Sequence, residues 1–210
     1  KRSMKGMVFT MKYDFDKIWE RRGHDATKWD APLFVKDNAD IIPMWVADMD
    51  FATPDCVVDA MKKRCEHPMF GYFKMPQAYY DGIASWQKKR YGVDGVTAEN
   101  IDYHNGVLGG VSSFIEAYTL PGDNILVNDA CYTGFQSTVK NRARVFVYSP
   151  LIETEEGWAM DFENMEQLIK EYHPPIMVFC NPHNPSGHVW TDEEMLKTVE
   201  LCDKYDMKIV

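Results

Sequence analysis

The chain has 210 residues, 45% of them hydrophobic, which is enough apolar material for one large domain or one and a half small ones. Lys and Arg total 23 against 32 Asp and Glu, and the net charge of -9 argues against nucleic acid or an anionic membrane as the main partner. The five cysteines (Cys56, Cys65, Cys131, Cys180, Cys202) form no CxxC pair and no stretch approaches membrane-spanning length, so the expectation is reduced thiols in a cytoplasm.

In chain order, residues 1–11 read as a leader without an apolar core, and Tyr13 to Trp29 as an aromatic, polar arm that packs on something else. Asp40 to Phe51 is apolar at its centre and closed by Asp48 and Asp50, which fits a buried segment entering a ligand-facing turn or a plain edge strand. Thr53 and Pro54 then predict a helix start, with Val57, Val58, Met61 and Cys65 on one face and an end near His67. A second helix is expected to carry Tyr79, Tyr80, Ile83, Trp86 and Arg90 before the Tyr91-Gly92 exit. Tyr72, in the turn between these helices, either packs or donates a hydrogen bond to a phosphate.

Ile101 to His104 predicts a short strand. The apolar spacing of Val107, Leu108, Val111, Phe114, Ile115 and Tyr118 predicts a helix that begins in the glycine-rich run Asn105-Gly106-Val107-Leu108-Gly109-Gly110. That arrangement leaves backbone N–H groups at the positive end of a helix dipole, where a small phosphoester would bind. The glycines equally permit close packing with no ligand. Neither GxGxxG nor a P-loop spacing is present, so a dinucleotide or nucleoside triphosphate is poorly supported.

From Asn124 onwards strands and helices alternate: strand 124–128, helix 132–140, strand 145–148, helix 161–172, strand 176–180, helix 191–205 and strand 207–210. This predicts a largely parallel sheet wrapped by helices, an α/β class. Thr191 with Glu194 forms a capping box. After the apolar run Ile176 to Cys180, the prolines of Asn181-Pro182-His183-Asn184-Pro185-Ser186-Gly187 force a stiff loop beyond a strand's carboxyl end. It is either an ordinary strand-to-helix turn or a loop that aims an amide at a ligand. A phosphate grip at Gly106, an aromatic at Tyr132 and an amide at Asn184 together suit a planar aromatic cofactor with one phosphate, such as pyridoxal 5'-phosphate (PLP).

The runs Tyr13-Asp14-Phe15-Asp16, Lys28-Trp29-Asp30, Pro43-Met44-Trp45-Val46-Ala47-Asp48-Met49-Asp50-Phe51, Phe70-Gly71-Tyr72 and Asn181 to Trp190 resemble the MalY/PatB-type cystathionine β-lyases, within the class I/II aminotransferase superfamily of fold-type I PLP enzymes. The resemblance covers Tyr13 to Val210. It implies a three-layer α/β/α PLP-dependent transferase-like large domain, present up to a point before its sheet is complete. Residues 1–50 would be an arm and small-domain segment and residues 51–210 the N-terminal part of the large domain. It also implies a C–S β-lyase that cleaves L-cystathionine or related cysteine S-conjugates to thiol, pyruvate and ammonia.

By position, the resemblance puts the phosphate cradle on Gly106, Val107 and Leu108, the ring-stacking aromatic on Tyr132 and the amide facing the phenolic oxygen on Asn184. Tyr72 would reach the phosphate in a neighbouring subunit, which implies a homodimer, and the turn at Ala47 would face the carboxylate of an amino-acid substrate. Two departures stand out. The family's proline before its stacking tyrosine is replaced in Asp129-Ala130-Cys131-Tyr132, and the acid, Schiff-base lysine and arginine that follow the last strand in the family are absent, which leaves no catalytic residue to assign. A PLP-dependent aminotransferase and a non-catalytic binding or assembly domain are the alternatives; a nicotinamide-type enzyme is a distant third.

Overall fold

The computed structural model describes residues 13–31, 41–155 and 157–210, so the expected leader lies outside the described residues. The chain divides between Met75 and Pro76 into two compact units.

The first unit holds helices α1 (Thr27–Asp30) and α2 (Asp55–Cys65). Helix α2 begins where Pro54 ends an extended approach, but no side chain caps it, and Val57 and Met61 remain exposed. The stretch expected to be buried or an edge strand before Phe51 is neither: the described part, from Ile41, is irregular and, apart from Pro43, largely exposed. It is held by charge instead of by a sheet. Arg21 pairs with Asp48 at 2.6 Å and with Asp50 at 2.8 Å. The buried Lys28 donates to Asp50 at 2.8 Å and to the Asp48 carbonyl at 2.9 Å, and Trp29 Nε1 donates to Asp50 at 2.8 Å. Donors from Lys28, Trp29 and Arg21 hold the Asp50 carboxyl well below the usual carboxylate range.

The second unit opens with α3 (Gln77–Tyr91), which ends as expected on Gly92 in the left-handed conformation at φ 70°. Residues Ile101 to His104 form no strand; the short apolar-polar alternation finds no neighbour to pair with among the described residues. Then follow α4 (Val107–Tyr118), β1 (Asn124–Asp129), α5 (Thr133–Lys140), β2 (Val145–Thr154), β3 (Gly157–Met160), α6 (Phe162–Tyr172), β4 (Ile176–Val178), α7 (Asp192–Lys204) and β5 (Lys208–Ile209). The sheet order is β3-β2-β1-β4-β5. Pairs β1/β2, β1/β4 and β4/β5 are parallel, and only β2/β3 is antiparallel.

Strand alternation divides the core into two layers, one on each face of the sheet. Ile125, Ile176 and Val178 face Val111 and Ile115 of α4 and Phe135 and Val139 of α5. Leu126, Val147 and Met177 face Met165 and Ile169 of α6, Cys202 of α7 and Trp190. The architecture is therefore the expected three-layer α/β/α sandwich with a mainly parallel sheet, and its central strands are buried on both faces.

Helices α6 and α7 are tied by Glu166, which accepts from Lys204 Nζ at 2.7 Å and Tyr205 Oη at 2.6 Å and pairs with Lys170 at 3.3 Å. Lys204, then Tyr205 and Lys170, lower the Glu166 carboxyl from the ordinary 4.5 to about 2. A depressed acid stabilises the fold above its unfolded value, and that contribution is lost as pH falls through the folded one. Acid unfolding followed by circular dichroism should therefore show a Glu166 component between these two values. Glu166→Gln should remove that component at low salt and change little in high salt, because the site is solvent-screened.

Candidate functional site

Three connections leave the carboxyl edge of this sheet or enter α4 beside it, and each is shaped by its own residues. Gly106 precedes α4 at φ 80° and ψ 169°, a conformation that glycine adopts at little cost. Its carbonyl accepts the Gly109 and Gly110 N–H groups at 3.1 and 3.3 Å, which starts the helix. No side chain caps this end, and among the described residues the N–H groups of Val107 and Leu108 have no hydrogen-bond partner. The end of an amphipathic helix thus presents two unpaired donors with the positive pole of its dipole, an arrangement that suits a phosphate.

Tyr132 is the N-cap of α5, three residues beyond β1, and the residue is 41% exposed. The ring meets Phe135 edge-on at 5.6 Å between centroids. It lies beside the α4 start: a Cβ built on Gly134 would sit 2.3 Å from Tyr132 Cε1 and 2.9 Å from Leu108 Cδ1. Gly106, Val107, Leu108 and Tyr132 therefore gather in one place. The only sequence signal that Gly134 joins them is the Tyr-x-Gly spacing at a helix start, Tyr132-Thr133-Gly134.

Asn184 lies on the loop after β4, the strand next to β1, so its loop leaves the same edge of the sheet. The loop is rigid for identifiable reasons. His183 and His188 are linked by an N–H to carbonyl bond of 2.7 Å, Gly187 N–H returns to the His183 carbonyl at 2.7 Å, and His183 Nδ1 shares a 2.7 Å hydrogen bond with Ser186 Oγ. Trp190 seals the base: it is 2% exposed, donates through Nε1 to the Cys180 carbonyl at 2.9 Å, and packs on Phe179, His183 and His188. Burial first, and the interaction with His188 second, lower the His183 pKa below the ordinary histidine value. Both asparagines are exposed, but Asn181 is engaged within the loop, accepting from Trp190 N–H at 3.2 Å and donating to Met195 Sδ at 3.3 Å, whereas the Asn184 amide has no partner among the described residues. A cavity of about 160 Å³ opens between the end of β1, the β2/β3 hairpin and the Asn184 loop, lined by Asp129, Ala130, Leu151, Trp158, His183, Pro185 and Ser186.

Two candidate residues belong to the first unit. Tyr72 is fully exposed. Ala47 sits in a tight turn, where Val46 has φ 57° and its carbonyl accepts the Asp48 N–H at 2.8 Å. A β-branched residue at positive φ is a strained backbone, and the Arg21 and Lys28 contacts to Asp48 described above hold it there.

No lysine lies in residues 104–111, 128–136 or 181–190. The described residues contain no cluster able to hold a metal ion. Among them, no helix is long and apolar enough to cross a membrane.

Residues 39–210 match the aminotransferase class I and II family. The chain is 37% identical over 197 residues to cystathionine beta-lyase PatB of Bacillus subtilis, covering 94% of this chain and 51% of that protein. Among solved structures, the PLP-bound C–S lyase from Staphylococcus hominis superposes with a TM-score of 0.84 at 30% identity, over 96% of this chain and 51% of its own. Cystalysin from Treponema denticola, which contains a pyridoxal 5'-phosphate cofactor, gives 0.84 at 28% identity over 95% and 51%. The chain spans about half the length of each of these relatives.

Proposed function

The chain belongs to the aminotransferase class I and II family, and from that premise we propose that it forms the phosphate-and-ring-binding part of a PLP-dependent C–S β-lyase of the cystathionine β-lyase type. The observation that carries this reading is the joining of two unpaired helix-start amides to a half-exposed tyrosine ring at one edge of the sheet. Val107 and Leu108 N–H hold the phosphate, with Gly106 supplying the turn that aims them. Tyr132 lies against the ring face, and Asn184 donates to the phenolic oxygen. When bound, the cofactor supplies the electron sink for bond cleavage at the substrate's Cα.

The remaining assignments rest on the resemblance and on the lyase relatives. Ala47 presents its backbone to the substrate carboxylate, with Val46, Asp48, Arg21 and Lys28 fixing the turn. Tyr72 reaches the phosphate bound by a second copy, so the whole protein is a homodimer, located in the cytoplasm. Residues 1–50 serve as arm and small-domain segment and residues 51–210 as the first part of the large domain. The whole protein releases a thiol, pyruvate and ammonia from a cysteine S-conjugate. The three site stretches described above supply no imine-forming lysine, so this chain's own residues bind and orient.

Titrating the chain with PLP, followed through quenching of its tryptophan and tyrosine fluorescence, tests the reading. Saturable binding is expected, competed by inorganic phosphate, with pyridoxal lacking the phosphate at least about 10-fold weaker, as the loss of charge-assisted bonds requires. Equal affinity for pyridoxal would remove the phosphate cradle from the assignment.

A further inference from the structure

Gly134 lies in the first turn of α5 with an ordinary helical backbone, so no unusual φ calls for glycine there. Alanine would be the better helix former at this position. What excludes it is the neighbouring ring: a Cβ on Gly134 would fall 2.3 Å from Tyr132 Cε1, 2.9 Å from Tyr132 Cζ and 2.9 Å from Leu108 Cδ1. The backbone is not free to retreat, because the Gly134 carbonyl is held by Ser137 Oγ at 3.0 Å and by the hydroxyl of the buried Thr138 at 2.9 Å. Tyr132, by contrast, is 41% exposed, so its side chain is not enclosed by packing.

We propose that Gly134 is a positioning residue: the missing side chain lets the Tyr132 ring lie against Leu108 and the amide-bearing start of α4, and any Cβ at this position swings the ring outward. This rests on the reading that Tyr132 stacks on PLP, and it adds the element that sets the angle of that ring. It also accounts for how Tyr132 is held without the proline that precedes the stacking tyrosine in the resembling family, since the restraint comes from the residue two positions after it.

Two measurements on the ligand-bound and ligand-free chain test this. In the free chain, nuclear Overhauser contacts between the Tyr132 ring protons and the Leu108 methyls are expected, and Gly134→Ala should abolish them while the thermal midpoint holds or rises. In the second, PLP affinity is measured in a cycle of Gly134→Ala and Tyr132→Ala. Gly134→Ala should weaken binding about 10-fold beside Tyr132, the scale of one aromatic contact, and have no effect once Tyr132 is alanine. Surviving ring-to-methyl contacts in Gly134→Ala, or an equal affinity loss in both backgrounds, overturns the proposal. If the wild-type chain fails to bind PLP, the cofactor reading falls, and the ring contacts still decide the role of Gly134.

Discussion

Trp190→Ala is expected to destabilise the second unit by about 3–5 kcal/mol, the range for removing a buried tryptophan from a packed core. The indole is 2% exposed and belongs to the cluster of Leu126, Val147, Met165, Ile169 and Met177, so the cavity it leaves is lined by central strands and by α6 and cannot collapse without moving the sheet. Its loss also strips packing from His183 and His188 and leaves the Cys180 carbonyl without its Nε1 donor. Since a domain's whole margin is about 5–15 kcal/mol, a change of this size takes a large share of it. Urea unfolding followed by circular dichroism gives the number. Trp190→Phe retains most of the volume and gives up the hydrogen bond, so about 1 kcal/mol of extra loss beyond the packing change is expected from it. A loss below about 1 kcal/mol for the alanine variant would show that the Asn184 loop holds its shape without this anchor.

The reason such a loop was partly legible from the sequence is that its stiffness has two origins. The prolines at 182 and 185 are visible in the chain, and they announce that the strand ends and a fixed loop begins. The indole anchor and the His183 to Ser186 bond arise from packing on the far face of the sheet, and nothing in the spacing of residues 181–190 says which side chains turn inward. The two asparagines show the difference: Asn181 and Asn184 are alike in sequence, each followed by proline, and both are exposed, yet the amide of one is hydrogen-bonded to Trp190 and Met195 and that of the other has no partner among the described residues.

The sheet was legible wherever apolar runs were buried on both faces, as in β1 and β4, and wherever a local cap closed the helix, as with Thr191 and Glu194 in α7. The hairpin β2/β3 was not. Pro150 in the middle of β2 reads as the end of a strand, because proline cannot donate to a ladder. In the structure it falls where β2 finishes pairing with β1 at Asp129 and begins pairing with β3 at Leu151, so the missing donor sits at the change of partner. Similarly, the sequence shows the runs Lys28-Trp29-Asp30 and Asp48-Met49-Asp50 but not that the Lys28–Asp50 ion pair and the Trp29–Asp50 hydrogen bond join them across about 20 residues of chain, since such pairing has no period to read.

Val107→Pro separates folding from binding more cleanly than any other change at the candidate site. Val107 is the first residue of α4, the position at which proline's fixed φ is already helical and its missing N–H belongs to no helical bond. The side chain is 81% exposed, so little packing is lost, and the extended ψ of 169° at Gly106 is compatible with a following proline. The thermal midpoint of the variant should therefore stay close to that of the wild type. The amide it removes is one of the two unpaired donors assigned to the phosphate, and a hydrogen bond to a charged group is worth about 1.5–3 kcal/mol. PLP affinity should fall roughly 10- to 100-fold, and competition by inorganic phosphate should weaken in parallel. Undiminished affinity in a folded Val107→Pro chain would mean that the phosphate is held elsewhere and that the open start of α4 serves only packing.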